Sequence, residues 1–193
     1  MCRIPVECFI DIGSGTGSLL NAVDRLLPEL SGRFYGIELL PPEIVPRSRR
    51  PNYRLGTLGD MAETFDAGVC IELIEHMSLG TVRGLAAELA LRSRSDSLFY
   101  FSSVQPSFVA SHDPAYLDPL GRGHIASYSI AAACLFNPSG FNIIALPGRD
   151  RAFLAEFAGA PEAQWARSSC STACGIPIPR TCACWPPHIL AHS

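Results

Sequence analysis

Apolar positions along this chain follow two rhythms. Near-continuous apolar runs at Ile4–Ile12, Arg33–Glu38, Phe65–Glu72, Ser97–Ser102 and Gly140–Leu146, with a shorter one at Tyr53–Leu55, have the character of strands buried on both faces of a parallel sheet. Between them the spacing becomes helical. Leu19, Leu20, Val23, Leu26, Leu27 and Leu30 share one face and predict a helix over Ser18–Leu30, closed by Ser31-Gly32. Val82, Leu85, Leu89 and neighbouring alanines predict a second over Thr81–Arg92, and Ser129 opens an alanine-rich third within Ser127–Phe136. Leu39–Pro51 carries four prolines and has room only for a short helix or loop. Strand and helix thus alternate from Ile4 to Leu146, which predicts a single α/β domain over residues 1–150 with a doubly wound, mostly parallel sheet. Beyond Gly148 the pattern fades. A helical turn or two is expected over Ala152–Phe157, no seventh strand is legible, and residues 151–193, rich in proline, serine and cysteine from Pro161 on, are expected to form a poorly ordered tail.

The first strand runs into Asp11-Ile12-Gly13-Ser14-Gly15-Thr16-Gly17, an acid followed by glycines at alternate positions, just before the first helix. Glycines there let the backbone take positive φ and approach a ligand, and the helix start beyond offers unpaired N–H groups. The second strand ends on Glu38, the interval at which a βαβ unit places a carboxylate to grip ribose hydroxyls. The turn reads Gly-x-Gly-x-Gly after an acid, unlike the Gly-x-Gly-x-x-Gly of nicotinamide and flavin enzymes, so a dinucleotide is disfavoured.

Composition narrows the function classes. The 193 residues are 48% hydrophobic and 17% charged, and no apolar run reaches the ~20 residues of a membrane span. A core-like strand begins almost at once, without a signal peptide's features, so the expected location is the cytoplasm. The net charge is −3 and there is no lysine, while the arginines are scattered apart from Arg47, Arg49 and Arg50, which argues against a nucleic-acid surface. Of the eight cysteines, Cys2, Cys8, Cys70 and Cys134 lie singly in or beside apolar segments, as buried free thiols do. Cys170, Cys174, Cys182 and Cys184, with His188 and His192, match no common zinc spacing, so no metal is assigned.

Four stretches in order carry a resemblance to the class I S-adenosylmethionine-dependent methyltransferases of the small-molecule type. They are Asp11 with Gly13, Gly15 and Gly17; Glu38; Phe65-Asp66 through Glu72 and on to Leu73-Ile74-Glu75-His76, similar to that family's Glu-x-x-Glu-His segment; and Gly123-His124-Ile125 ahead of Ser129 and Ser139-Gly140-Phe141. The resemblance covers about three quarters of the chain and implies the Rossmann-like methyltransferase fold. It implies S-adenosyl-L-methionine as cofactor, with the glycines and Asp11 around its methionine part and Glu38, with Leu39 beside it, on the ribose. The adenine falls to Asp60 or to Thr57-Leu58, because Asp60 stands closer to Phe65 than the family's acid usually does. Glu72 would complete the cofactor site.

The implied reaction is methyl transfer to a small-molecule or glycan-like acceptor, to oxygen before nitrogen or carbon, with His76 or His124 as base, since imidazole titrates near neutral pH. The proline-rich connection Val104–Gly123 would close the acceptor pocket, with Phe108 and Tyr116 as apolar cover. Two other readings stand beside it. The small-RNA 3′-terminal ribose methyltransferases carry the same segment and a later histidine around a divalent metal, which would match Glu72, Glu75, His76 and His124. The departures from the family, no helix before the first strand and no legible seventh strand, imply a chain incomplete at both ends and hence a non-catalytic remnant.

Overall fold

The computed structural model describes residues 5–43, 45–149 and 151–159. Seven strands form one sheet in the order β3-β2-β1-β4-β5-β7-β6. They are β1 (Phe9–Ile12), β2 (Phe34–Glu38), β3 (Tyr53–Leu55), β4 (Phe65–Ile71), β5 (Ser93–Ser102), β6 (Phe141–Ala145) and β7 (Ala152–Phe157). Strands β1 to β5 pair in parallel, whereas β7 runs antiparallel to both β5 and β6. Strand order reverses between β1 and β4, and in open α/β sheets ligands gather outside the carboxyl ends of strands at such a point.

The helices fall where the apolar spacing puts them, with ends set by local chemistry. Helix α1 (Ser18–Leu26) stops short of the expected Leu30, because Pro28 lacks an N–H and pushes Leu27 to φ −141°, ψ 61°; a 3₁₀ segment, Pro28–Arg33, continues the chain. Helix α2 (Leu79–Arg92) starts earlier than expected, capped by the Ser78 hydroxyl, which accepts the Thr81 N–H. Helix α3 (Pro106–His112) occupies part of the stretch read as aperiodic. Helix α4 (Ile130–Ala133), capped by Ser129, passes into a 3₁₀ segment at Cys134–Ser139.

Register fixes the two faces of the sheet. Asp11 pairs with Gly36 and Val69, Val69 with Tyr100, and Tyr100 with Leu154, so these share one face; α1 lies on it, with Leu20 packed against Gly36. The other face carries Ile10, Cys70, Phe99, Phe101 and Phe153, buried together with Val82, Ala86 and Leu89 of α2 and Phe136. Phe101 stacks on Phe153 at 5.2 Å between centroids and meets Phe136 edge-on at 4.9 Å. Cys8 and Cys70 are buried free thiols as expected, but Cys134 is exposed.

Three expectations need correction. Ala152–Phe157 is a strand, not a helical turn: Phe153, Ala155 and Phe157 alternate inward between Leu154 and Glu156, so a seventh strand exists and the sheet continues past residue 150. Strand β1 begins at Phe9 because the Glu7 and Cys8 N–H groups both donate to the Asp66 carboxylate, which Arg94 also holds; Ile4 lies outside the described residues. Strand β4 ends at Ile71, since Glu72 has φ +49° and turns the chain out of the sheet. The expected tail from Pro161, with Cys170, Cys174, Cys182, Cys184, His188 and His192, lies outside the described residues, as does Cys2.

Candidate active site

At the carboxyl end of β1 the chain leaves the sheet through the glycine turn. Gly13 and Ser14 both donate their N–H groups to the Ile37 carbonyl, at 3.0 and 3.1 Å, which ties the turn to the end of β2. Gly13 (φ +73°) and Gly15 (φ +55°) hold left-handed conformations that strain any residue with a Cβ. Glu38 closes the loop from the other side. Its Oε2 accepts the Gly15 N–H at 2.8 Å and its Oε1 the Leu40 N–H at 2.9 Å, so the carboxylate is fixed by backbone donors on both oxygens. Tyr53 donates its hydroxyl to the Gly15 carbonyl at 2.6 Å.

Between this turn and α2 lies a cavity of about 260 Å³. Gly13, Glu38, Leu39 and Leu58, all foreseen in the sequence, line it, together with Leu73 and Met77 from the segment after β4. Asp11, Gly15, Gly17, Asp60 and Glu72 are not among its walls. Asp11 lies buried at the end of β1, and burial, then the Glu38 charge, pushes its carboxyl up to about 6. Gly17 is the left-handed residue ahead of α1, closely approached by Ser48 and Tyr53.

Asp60 is engaged within its own turn. Its Oδ2 accepts the Thr57 N–H at 2.8 Å and the Thr57 hydroxyl at 3.3 Å, closing a reciprocal cap on the 3₁₀ turn Leu58–Asp60. That occupation leaves Thr57 and Leu58, the other option in the sequence, on the cavity wall.

Beyond the end of β4 a polar group gathers from three parts of the chain. Glu75 is fully buried in the 3₁₀ turn Ile74–His76, and neither carboxyl oxygen has a hydrogen-bond partner among the described residues. Burial above all, with the Glu72 carboxyl nearby, pushes it up to about 8, so it is mostly protonated at neutral pH. The His76 and His124 rings meet edge-on at 4.8 Å. His76 Nδ1 lies 3.1 Å from the Gly123 carbonyl and His124 Nδ1 lies 3.0 Å from the Tyr116 carbonyl. A carbonyl only accepts, so each Nδ1 carries a proton, which leaves Nε2 as the position for a second contact. One ligand atom from each of Glu75, His76 and His124 lies within 4.8 Å of the others.

Glu72 lies beside Glu75 but outside the ligand cluster of this trio. Its Oε1 accepts the Ser102 hydroxyl at 2.6 Å, and its own N–H donates to the same hydroxyl oxygen at 3.1 Å. Tyr116 is buried as expected of apolar cover, yet its hydroxyl and that of Ser103 are buried without partners among the described residues. Burial and the Glu75 charge push the Tyr116 phenol up to about 12. Phe108 lies elsewhere, packed under Arg151. Ser102 and Ser103 had no role in the sequence reading, and the cap between Thr57 and Asp60 was signalled only by their Thr-x-x-Asp spacing.

No known family profile matches the chain, and no curated protein matches it by sequence. Solved structures do match in fold. Human N-acetylserotonin methyltransferase, in complex with S-adenosylmethionine, superposes with a TM-score of 0.58 at 14% identity over 81% of this chain and 48% of its own. An S-adenosylmethionine-dependent methyltransferase from Archaeoglobus fulgidus gives 0.57 at 15% identity over 77% of this chain and 86% of its own. The amino pentose methyltransferase CalS10 of Micromonospora echinaspora, also bound to S-adenosylmethionine, gives 0.55 at 17% identity over 80% and 85%. The chain spans about half the length of several of the structures it matches. The fold is therefore that of the S-adenosylmethionine-dependent methyltransferases, as the glycine turn and Glu38 implied.

Proposed function

We propose that this chain binds S-adenosylmethionine in the cavity between the glycine turn and α2 and transfers its methyl group to a hydroxyl of a small-molecule or glycan-like acceptor. The observation that carries the reading is Glu38. It ends β2, whose neighbour β1 borders the topological switch, is held rigid by the Gly15 and Leu40 N–H groups, and lines a cavity walled mostly by apolar side chains. Solved structures of the same fold that hold this cofactor support the choice of ligand.

The residues present fit the cofactor. Glu38 keeps acceptor capacity for a ribose diol, Gly13 and Gly15 admit a close backbone approach, and Leu39, Leu58, Leu73 and Met77 give an apolar berth for a flat base. The ionised Asp11 sets a negative charge beneath the turn, where the methionyl ammonium lies in this reading. When bound, the cofactor supplies a methyl group made electrophilic by its sulfonium. The protein's part is alignment, exclusion of water and removal of one proton. His76 and His124 are placed for that last task, each held by its Nδ1–H so that Nε2 can take the acceptor's hydroxyl proton.

The carboxylate–imidazole trio favours a second reading. A buried carboxyl beside two imidazoles is a donor set that suits a divalent cation, which would polarise an acceptor hydroxyl. Glu75 would lose its proton on binding the ion, and the acceptor would then be a ribose 2′-hydroxyl of RNA. Glu72, tied to Ser102, stays outside this set.

One experiment separates these readings: transfer of labelled methyl from the cofactor into pooled hydroxy-metabolites and into short RNAs, with and without EDTA. The first reading expects label in a small molecule, unaffected by EDTA and falling steeply in His76→Ala. Label entering RNA only without EDTA would replace it by the second. No label from a folded sample would leave a non-catalytic remnant.

A further inference from the structure

A second and larger cavity, about 610 Å³, lies beside the carboxyl end of β5, apart from the glycine turn. Its floor is the sheet face that carries Tyr100, with Ala152 next to it on β7. Phe108 of α3 and the pair Arg149 and Arg151, which lead into β7, form its sides. The Arg151 guanidinium carbon sits 4.1 Å from the Phe108 ring centroid, a cation–π contact that holds the cation at the rim. The loop itself is anchored, since Ser103 donates its N–H to the Arg151 carbonyl at 3.0 Å and Gln105 its side-chain amide to the Arg149 carbonyl at 3.4 Å. Among the described residues neither Arg149 nor Arg151 forms an ion pair with a carboxylate.

This cavity is linked to the candidate active site through one strand pairing. Ala152 is the ladder partner of Ser102, and Ser102 gives its hydroxyl to Glu72 at the end of β4. Neighbouring strands lie about 4.8 Å apart, which sets Ala152 at the cavity one strand spacing from Ser102.

We propose that this cavity binds the anionic, ring-bearing part of the methyl acceptor, so that the substrate class is a hydroxylated aromatic carrying a carboxylate or phosphate. Arg149 and Arg151 take the anion, Arg151 being the better fixed, and Tyr100 and Phe108 cover the ring. Two exposed cations without carboxylate partners among the described residues, beside two aromatic walls, favour such a ligand over a neutral sugar, which would make no charge-assisted contact with them. The inference rests on the methyl-transfer reading for the word acceptor, but the binding step stands without it.

The test is calorimetry on the full chain with 4-hydroxybenzoate, phenyl phosphate and the neutral 4-hydroxybenzamide, run beside S-adenosylhomocysteine. At least one of the two acids should bind about tenfold or more tightly than the amide, and which one does so tells carboxylate from phosphate. Arg151→Ala should weaken that acid by about tenfold, Arg151→Lys should keep part of the affinity, and S-adenosylhomocysteine should bind all variants within about twofold of the wild type. Should Arg151→Ala fail to fold, the exposed Arg149→Ala carries the same expectation of weaker acid binding. Equal binding of acid and amide, no binding of either acid, or acid binding unmoved by both alanine substitutions would overturn the proposal. Arginine-dependent acid binding by a chain that ignores S-adenosylhomocysteine would keep the anion site and remove the methyl-transfer reading.

Discussion

Asp11 links the fold to ligand binding through a proton. Its carboxyl sits at the end of a buried strand, where lost solvation and the Glu38 charge push it up to about 6 from the usual 3.8. Because the folded state holds this proton more tightly than the unfolded chain, the stability Asp11 contributes is fully present below pH 3.8 and is lost as pH rises through about 6. The displacement of about two units at about 1.4 kcal/mol each sets an upper bound of about 3 kcal/mol on the destabilisation at neutral pH.

Cofactor binding should respond with the opposite sign, because only the ionised carboxylate attracts the methionyl ammonium. With a group titrating near 6, about a tenth of the protein carries the charge at pH 5 and nearly all at pH 7.5. S-adenosylhomocysteine should therefore bind about tenfold more weakly at pH 5 than at pH 7.5. Asp11→Asn removes the charge while keeping the shape. It should raise the neutral-pH stability of the ligand-free protein by about 1–3 kcal/mol, weaken binding at pH 7.5 and flatten the pH dependence of binding over this range. Calorimetric titrations at the two pH values, with urea melts on the same samples, measure all three quantities. A pH dependence in Asp11→Asn equal to that of the wild type would show that another group titrates and that Asp11 lies away from the ammonium.

Further substitutions probe the other parts. Glu38→Ala should weaken S-adenosylhomocysteine binding by about 2–3 kcal/mol, since it removes a charged acceptor pair and frees the Gly15 N–H; a change under about threefold in a folded sample would remove its ribose role. Phe153→Ala should cost about 3–5 kcal/mol in a urea melt, because the ring is buried and stacked on Phe101, and a cost below about 1 kcal/mol would show that β7 contributes little to the core. Gly13→Ala should lower stability by about 1–2 kcal/mol through its positive φ, with the added Cβ 2.8 Å from the mobile end of Leu73; a neutral result would mean that the turn relaxes.

What the sequence made legible follows from how locally each feature is encoded. The glycine turn, Glu38 and β1 to β6 were readable because contiguous residues specify them, through apolar runs, an acid at a fixed interval and glycines where a turn must tighten. Strand β7 was not, because alanine, leucine and glutamate favour a helix in isolation; pairing with β5 and β6 overrides that preference and buries Phe153 and Phe157. The local role of Asp60 was missed because an acid near a strand start was matched to a ligand role while its spacing from Thr57 already spelled a cap. The trio of Glu75, His76 and His124 was half visible: Glu75-His76 is contiguous, but its approach to His124 depends on the Gly123 carbonyl meeting His76, a contact across 47 positions. The full burial of Glu75, the feature that gives the trio its chemistry, has no sequence signature.

The central claim is that the cavity beside Glu38 holds the methyl donor. Calorimetric titration of the folded wild-type chain with S-adenosylhomocysteine tests it most directly. Saturable one-to-one binding in the micromolar to sub-millimolar range is the predicted result, and no measurable heat from a sample that melts cooperatively would contradict it.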